Sequence, residues 1–282
     1  MKGNAKLKLL LGVLFGAALL GLIVYFAVGK KEEAEQLQSS GELEQLISRQ
    51  QASSVKYSEY YEAGKRGEEL QQGDFGFLFL PDGCVELSSY TGSDKDVVIP
   101  EDYDGIPVVR LGADLFRGSD VETVVVPSGL ETIGERCFMD CKHLRAVKAE
   151  FSYLREIQDS AFDGCEALET IEPYYDITTV GKRSFAGTKS LKQAYFIENL
   201  VTIPEECFLG CGVEEMYLYS AYEVKSGAFA ECPALTRVKI GAATQIIAED
   251  AFRDSKGVVI VASEYTKAGI FAKEHGIPRQ DK

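Results

Sequence analysis

The hydrophobic positions of this chain fall into two regimes, a continuous run near the N-terminus and a periodic pattern in the second half. The run occupies residues 9–29, reads LLLGVLFGAALLGLIVYFAVG and holds no charged residue. As a helix rising about 1.5 Å per residue it would be roughly 31 Å long, which matches the hydrocarbon core of a bilayer. The pattern therefore predicts one transmembrane helix at 9–29.

The residues that flank this run predict its orientation. The short tail before it is basic, with Lys2, Lys6 and Lys8. Under the positive-inside rule, tail 1–8 stays in the cytoplasm and the rest of the chain is extracytoplasmic. A signal peptide cleaved near Gly29 is the alternative and would give a secreted protein, but the run is longer than a usual signal core. We therefore predict an uncleaved signal anchor, in which Gly12 and Gly16 would allow a weak homodimer.

Residues 30–72 are rich in Glu, Gln, Ser and Lys and contain only scattered apolar residues. Their spacing is loosely helical, glycines interrupt it, and the sustained heptads of a coiled coil are missing. We expect a partly helical stalk that separates the membrane from the next domain.

From residue 111 onward one pattern repeats seven times. Phenylalanine recurs at intervals of 21 to 24 residues, at Phe116, Phe138, Phe162, Phe185, Phe208, Phe229 and Phe252. An aliphatic residue stands five positions before each phenylalanine, a Ser, Thr or Cys stands three after it, and two further apolar residues follow. A unit of about 23 residues cannot bury its own apolar face alone. We predict a solenoid of leucine-rich repeats over 111–262, in seven copies with one short parallel β-strand each.

The repeat unit resembles one family closely. Residues 157–171, IQDSAFDGCEALETI, and residues 133–138, IGERCF, are similar to the rung I-x-x-x-A-F-x-G-C-x-x-L-x-x-I of BspA-type leucine-rich repeat proteins. This resemblance implies a bacterial surface or secreted protein that binds other proteins or matrix. It carries over no catalytic residue.

The segments on either side of the repeats resemble the same family. Residues 90–93 and 98–108 are similar to the stretch before its first rung, so we assign 73–110 as an N-terminal cap segment. Residues 263–277 resemble its closing helix, so we assign 263–282 as a C-terminal cap.

Charge and motif content reduce the classes of function that the chain could have. The chain has 30 basic and 44 acidic residues, a formal charge of −14, and such a surface repels nucleic acid. It has two histidines, which disfavours His-based catalysis and multi-His metal sites. Neither the motifs of serine hydrolases and zinc proteases nor those of nucleotide-binding proteins are found. We predict that the protein is not an enzyme and uses no cofactor.

The cysteines follow the repeat. Six of the seven occupy positions beside the phenylalanines, namely Cys137, Cys141, Cys165, Cys207, Cys211 and Cys232, and Cys84 lies in the N-terminal cap segment. Serine and threonine take the same positions in other copies, so we expect buried free thiols that fill a small site. Disulfides 141–165 and 211–232 are the alternative, because parallel strands lie about 4.8 Å apart. Two Cys-x3-Cys pairs lack further ligands for zinc, so no metal site is predicted.

The predicted strands also suggest a binding face. Side chains between the buried positions of each strand point outward on the concave sheet. We expect Tyr195 and Tyr217 side by side on consecutive rungs and Arg237 and Lys239 on the next, with Lys148 as another outward basic residue. Tyr and Arg often carry interface energy, although β-propensity alone also favours Tyr on a sheet.

These residues are therefore the predicted ligand-binding site. The sequence predicts a membrane-anchored extracytoplasmic protein that binds a protein or glycan at the cell surface. An envelope scaffold that positions the cell's own membrane or wall proteins is the alternative.

Overall fold

The computed structural model describes residues 69–80, 83–149, 153–172 and 177–281. The predicted membrane helix at 9–29 and nearly all of the predicted stalk lie outside these residues. Within the described ranges, no helix has the length and apolar character needed to cross a bilayer.

The regular elements of the described chain are mainly short strands, which form two ladders along a solenoid. The N-terminal strands are β1 (Leu70–Gln72), β2 (Phe75–Phe79), β3 (Val85–Tyr90), β4 (Asp96–Val98), β5 (Asp102–Tyr103) and β6 (Ile106–Leu111). The strands just before a repeat phenylalanine are β8 (Thr132–Ile133), β10 (Glu156–Ile157), β12 (Thr179–Val180), β13 (Thr202–Ile203), β15 (Glu223–Val224) and β17 (Ile246–Ile247). The strands after it are β7 (Thr123–Val125), β9 (Ala146–Lys148), β11 (Thr170–Glu172), β14 (Glu215–Leu218), β16 (Arg237–Ile240) and β18 (Val259–Val261).

We call one copy of the repeat a rung and number the rungs from 1, at Phe116, to 7, at Phe252. Each rung was predicted to hold one strand, but most rungs hold two. The additional two-residue strand lies at the aliphatic position before the phenylalanine, where Ile157 pairs in parallel with Ile133 and Val180. The four sheets have the strand orders β1-β2-β3-β6-β8-β10-β12, with β5 paired to β6, then β4-β7-β9-β11, β13-β15-β17 and β14-β16-β18-β19, in which β19 is Arg279–Gln280. The predicted leucine-rich repeat solenoid is confirmed, with this second strand ladder as a correction.

The seven repeat phenylalanines form one continuous stack, here called the Phe ladder. Neighbouring rings lie 5.2–5.5 Å apart between centroids and are parallel to within 3–11°. All seven are buried, and Phe162 has no exposed surface. The backbone continues the same order, because the N–H of Phe162 donates to the carbonyl of Ser184 on the next rung at 2.9 Å. The position predicted to be interior is therefore the core of the solenoid.

A left-handed residue two positions after each phenylalanine turns the chain back toward the second ladder. Gly118, Gly164, Gly187 and Gly210 occupy this position with φ between +65° and +76°. Glycine takes this conformation without the steric cost that a Cβ brings, as the sequence predicted. Asp140 and Glu231 take the same conformation at φ 61° and 57°, so other rungs tolerate that cost.

Rung 4 departs from the predicted strand pattern. Its second segment is a 3₁₀ helix, Tyr195–Asn199, so the expected strand is absent from this described rung. Ala194 occupies the buried position that holds Val, Ile or Met in the other rungs. The smaller side chain leaves room for Phe196, which is buried with its ring 4.8 Å from that of Phe185. The helical turn lets this larger side chain reach the core.

The C-terminal segment covers the last rung. Helix α1 spans Lys267–Glu274, and Thr266 caps it by accepting a hydrogen bond from the Gly269 N–H at 3.2 Å. Phe271 from this helix lies 6.1 Å from Phe252, the end of the Phe ladder. Strand β19 (Arg279–Gln280) then pairs in parallel with β18. The helix thus shields the final ring from solvent.

Candidate binding surface

Strands β14 and β16 position the predicted contact residues. Along both strands the buried side chains alternate with side chains on the outer face, which is the period-2 pattern of a half-buried strand. The parallel register places Tyr217 beside Lys239 and Glu215 beside Arg237. Three of the predicted site residues therefore share one face on neighbouring rungs.

Three phenols come together on this face. Tyr217 donates a hydrogen bond to Glu215 at 2.8 Å, and this bond raises the pKa of the Tyr217 hydroxyl. Tyr195 and Tyr219 raise the same pKa to a smaller extent, so their hydroxyl groups lie within electrostatic range. Tyr195 is exposed and reaches this position from the 3₁₀ helix and not from a strand. The strand expected for Tyr195 was wrong: Tyr195 begins the 3₁₀ helix, which contacts β14.

Tyr219 is part of this surface and was missed by the sequence analysis. Its ring lies 5.9 Å from that of Tyr217, and the ammonium group of Lys239 lies 5.7 Å from its ring centroid. A cation at this distance is attracted by the ring face. The next rung offers Gly241, whose backbone lies so close that a Cβ would stand 2.6 Å from the Tyr219 carbonyl oxygen. The alternation of β14 continued by one residue would have found Tyr219.

We define the tyrosine patch as Tyr195, Tyr217, Tyr219, Arg237 and Lys239. Lys148, the remaining predicted site residue, is exposed on β9. In the parallel register of β9 and β11 it lies opposite Glu172. Strand β9 belongs to the other four-stranded sheet and lies three rungs before β14. The structure therefore does not bring Lys148 to the patch.

The two basic residues of the patch differ from most basic residues of the turns. Arg136 donates two hydrogen bonds to Asp114, and Arg183 bridges Asp163 and Glu206 on the two neighbouring rungs. In such ladders of ion pairs, each arginine is paired with carboxylates of the solenoid itself. In contrast, neither basic residue of the patch forms an ion pair within the described ranges. Their charges are available to a ligand.

The repeat cysteines are structural. All described cysteines are free thiols, and the six at repeat positions are fully buried, so the predicted small-residue role holds and the disulfide alternative is not adopted. The thiols of Cys141 and Cys165 each donate to the carbonyl of the phenylalanine one rung earlier, at 2.8 and 2.9 Å. Ser255 donates to Phe229 in the same way at 2.6 Å. The position three residues after each phenylalanine therefore selects a small side chain that is also a hydrogen-bond donor.

Burial makes these thiols unreactive. It raises the pKa of Cys207 to about 12 and that of Cys211 to about 11, because a thiolate would lose its hydration. Thiolate is the form that reacts or binds metal. In the part of the chain that the structure describes, no cluster of His, Cys, Asp or Glu could hold a metal ion.

Comparisons with known proteins agree with this architecture. The sequence model of the BspA type leucine rich repeat region matches in six copies over residues 109–235 and 150–259, which together exceed half of the chain. No curated protein matches the chain. The predicted family resemblance is thus confirmed by the family model.

One of the similar solved structures shares the fold. A leucine-rich repeat protein of T. pallidum is 22% identical, with a TM-score of 0.53 over 76% of this chain and 98% of that chain. A leucine-rich cell surface protein from Faecalibacterium prausnitzii is 14% identical, with a TM-score of 0.47 over 76% of this chain and 94% of that chain. Together with the Phe ladder and the stacked rungs, the match to the family model shows that this chain belongs to the BspA-type leucine-rich repeat family.

Proposed function

We propose that this protein is anchored in the cell membrane by residues 9–29 and binds a protein or glycan outside the cell through its tyrosine patch. The observation that carries the proposal is the pair Arg237 and Lys239, which are free of ion pairs within the described residues and lie beside three tyrosines. The motif-free sequence and the structural role of the thiols favour binding over catalysis.

The chemistry of the patch indicates the kind of contact it would make. Tyrosine rings offer apolar area and a hydroxyl at low entropic cost, and they are enriched at interface hot spots with arginine. The chain has a charge of −14, whereas on this surface two cations stand against the single carboxylate of Glu215, which lies beside Arg237 and accepts from Tyr217. An acidic peptide segment or an anionic sugar would complement the patch, and added salt would weaken the complex.

Removal of the patch is expected to abolish most of the binding. The triple variant Tyr195→Ala, Tyr217→Ala, Arg237→Ala should bind a cell-surface or matrix partner at least about tenfold more weakly than the parent, because hot-spot truncations cost about 2 kcal/mol or more. Binding is measured by surface plasmon resonance against matrix or envelope preparations. The matched control, Tyr153→Ala, Tyr265→Ala, Lys256→Ala, removes three exposed side chains elsewhere and should bind like the parent. If the triple patch variant binds as tightly as the control variant and the parent, the contact site lies on the loops.

Membrane topology provides a separate test. Protease added to intact, wall-stripped cells should digest the repeats and leave a small membrane-bound stub, because the basic tail 1–8 holds the N-terminus inside. Cell fractionation and immunoblotting of both ends follow the products. Complete protection of the repeats would show that they lie on the cytoplasmic side of the membrane. Repeats found mainly in the medium would indicate a cleaved signal peptide.

A further inference from the structure

The short-strand ladder is interrupted between rungs 4 and 5. In the other rungs the residue that follows the short strand donates its N–H to the previous rung, as Gly181 does to Ile157 at 2.7 Å and Lys225 does to Ile203 at 3.0 Å. Pro204 occupies this position on rung 5 and has no N–H to donate. Strands β12 and β13 accordingly belong to different sheets.

The interruption leaves backbone groups of the two strands unpaired with each other. Strands β12 and β13 are not paired, and among the described residues no backbone hydrogen bond outside the strands joins the carbonyls of Thr178 and Val180 to the N–H groups of Val201 and Thr202. At the equivalent place on rung 6, Tyr222 and Glu223 both donate to the Val201 carbonyl. Two acceptors on one strand therefore face toward the rung that carries two donors.

A cleft of about 540 Å³ opens at this interruption, and we call it the Pro204 cleft. Its volume lies within the range of about 300–1,000 Å³ that is usual for small-ligand sites. It is lined by Asp159, Thr178, Thr179, Val180, Gly181, Lys182, Val201, Thr202, Pro204, Glu205 and Lys225. Lys182 pairs with Glu205 at 2.9 Å, whereas Lys225 has no ion pair within the described ranges. Val201, which lines the cleft, is 62% exposed, and Tyr222, whose N–H donates to the Val201 carbonyl at 2.7 Å, is 50% exposed.

The geometry limits what the cleft can hold. Directly after the interruption the two rungs are bonded again, because the Arg183 N–H donates to the Glu205 carbonyl at 3.1 Å and Lys182 forms an ion pair with Glu205. An inserted β-strand would need two spacings of about 4.8 Å between these rungs, and rungs that are bonded to each other there do not provide them. A hydroxyl group both donates and accepts through one atom, so it can bridge a carbonyl and an N–H that are not bonded to each other in a narrow space.

We propose that the Pro204 cleft binds a saccharide, with sugar hydroxyls bridging β12 and β13 and the ring lying against Tyr222 and Val201. The site lies on the short-strand ladder, apart from the tyrosine patch on β14 and β16. It is therefore independent of the function proposed above.

The test uses the full-length chain in a sugar-free zwitterionic detergent. The probes are cellobiose and chitobiose at millimolar concentration, with the extended peptide acetyl-Val-Thr-Val-amide as a comparison. Saturation-transfer NMR reports binding of the sugars, and hydrogen exchange with mass spectrometry reports protection of residues 177–205. We expect at least one disaccharide to bind and to slow exchange at Val201 and Thr202, and the peptide to do neither.

Two variants assign the binding to the cleft. Pro204→Ala restores the N–H that can pair with Val180, so it should close the cleft and weaken sugar binding by about tenfold or more, the worth of one or two hydrogen bonds. Tyr222→Ala should weaken binding without changing exchange of the sugar-free protein. Pro233→Ala, an exposed proline on rung 6, is the matched control and should leave binding unchanged. Binding by the peptide alone, binding by no probe, or equal sugar binding by all three variants would overturn the proposal, while loss of patch-mediated binding would not affect it.

Discussion

Phe162→Ala is expected to lower the free energy of unfolding by about 3–5 kcal/mol, the usual cost of removing a buried phenylalanine. Phe162 is fully buried, and its ring stacks between Phe138 at 5.2 Å and Phe185 at 5.5 Å. Its loss leaves a cavity and also removes two ring contacts. Urea denaturation followed by circular dichroism measures the change.

The damage should be local, because each rung contacts only its neighbours. Hydrogen exchange should therefore accelerate most in rungs 2 to 4. Phe162→Leu keeps part of the buried volume and should cost less, and Tyr153→Ala, at an exposed position, should change stability by no more than about 0.5 kcal/mol. A melting temperature of Phe162→Ala equal to that of the parent would contradict an interior Phe ladder.

Cys84 should be the one cysteine that iodoacetamide modifies rapidly in the native protein at pH 8. It is half-buried, whereas the six repeat cysteines are buried. With the pKa of Cys232 raised to about 12, roughly one thiol in ten thousand is ionised at that pH. Intact-mass spectrometry should show one adduct on the folded chain.

Unfolding in guanidinium without reductant provides the control and should expose all seven thiols to modification. Rapid labelling of Cys165 in the native protein would contradict its burial. A mass lower by two hydrogens, with fewer than seven adducts after unfolding, would reveal a disulfide and restore the alternative pairing of Cys141 with Cys165.

The periodic core was predictable because its physics is local and repeated. Each phenylalanine, such as Phe138 or Phe208, stands at nearly the same distance from the last, so one pattern places every ring in the same ladder. The hydrogen bond from the Cys165 thiol to the Phe138 carbonyl was not predictable, since it joins residues on different rungs. The shared Ser, Thr and Cys at this position is the signal that a donor is required.

The exceptions to the repeat depend on packing that spacing does not reveal. Ala194 fits the apolar pattern, yet it is followed by a 3₁₀ helix that buries Phe196 against Phe185, a contact that spacing alone does not reveal. Spacing likewise gives no sign of the interruption at Pro204, because only the register shows which N–H the proline removes.

The candidate site was predictable in part, because the alternation of side chains along a strand is also a local property. Strand alternation correctly placed Tyr217, Arg237 and Lys239 on the outer face of β14 and β16. It did not include Tyr219, which lies one residue beyond the end of β14 at Leu218. The same reasoning grouped Lys148 of β9 with these three residues. Alternation shows which way a side chain points, but it does not show how many rungs separate two side chains.

The central claim is that the tyrosine patch touches a partner outside the cell, and site-specific photo-crosslinking on living cells tests it most directly. A benzophenone amino acid would replace Tyr217 in the patch or, as the matched control, Tyr265, which is 86% exposed on the C-terminal segment. We expect a discrete adduct from position 217 that forms on intact cells, is far weaker from position 265, and is lost when Lys239→Glu reverses a charge of the patch. Equal adducts from both positions, or an adduct from position 217 that survives Lys239→Glu, would contradict the account.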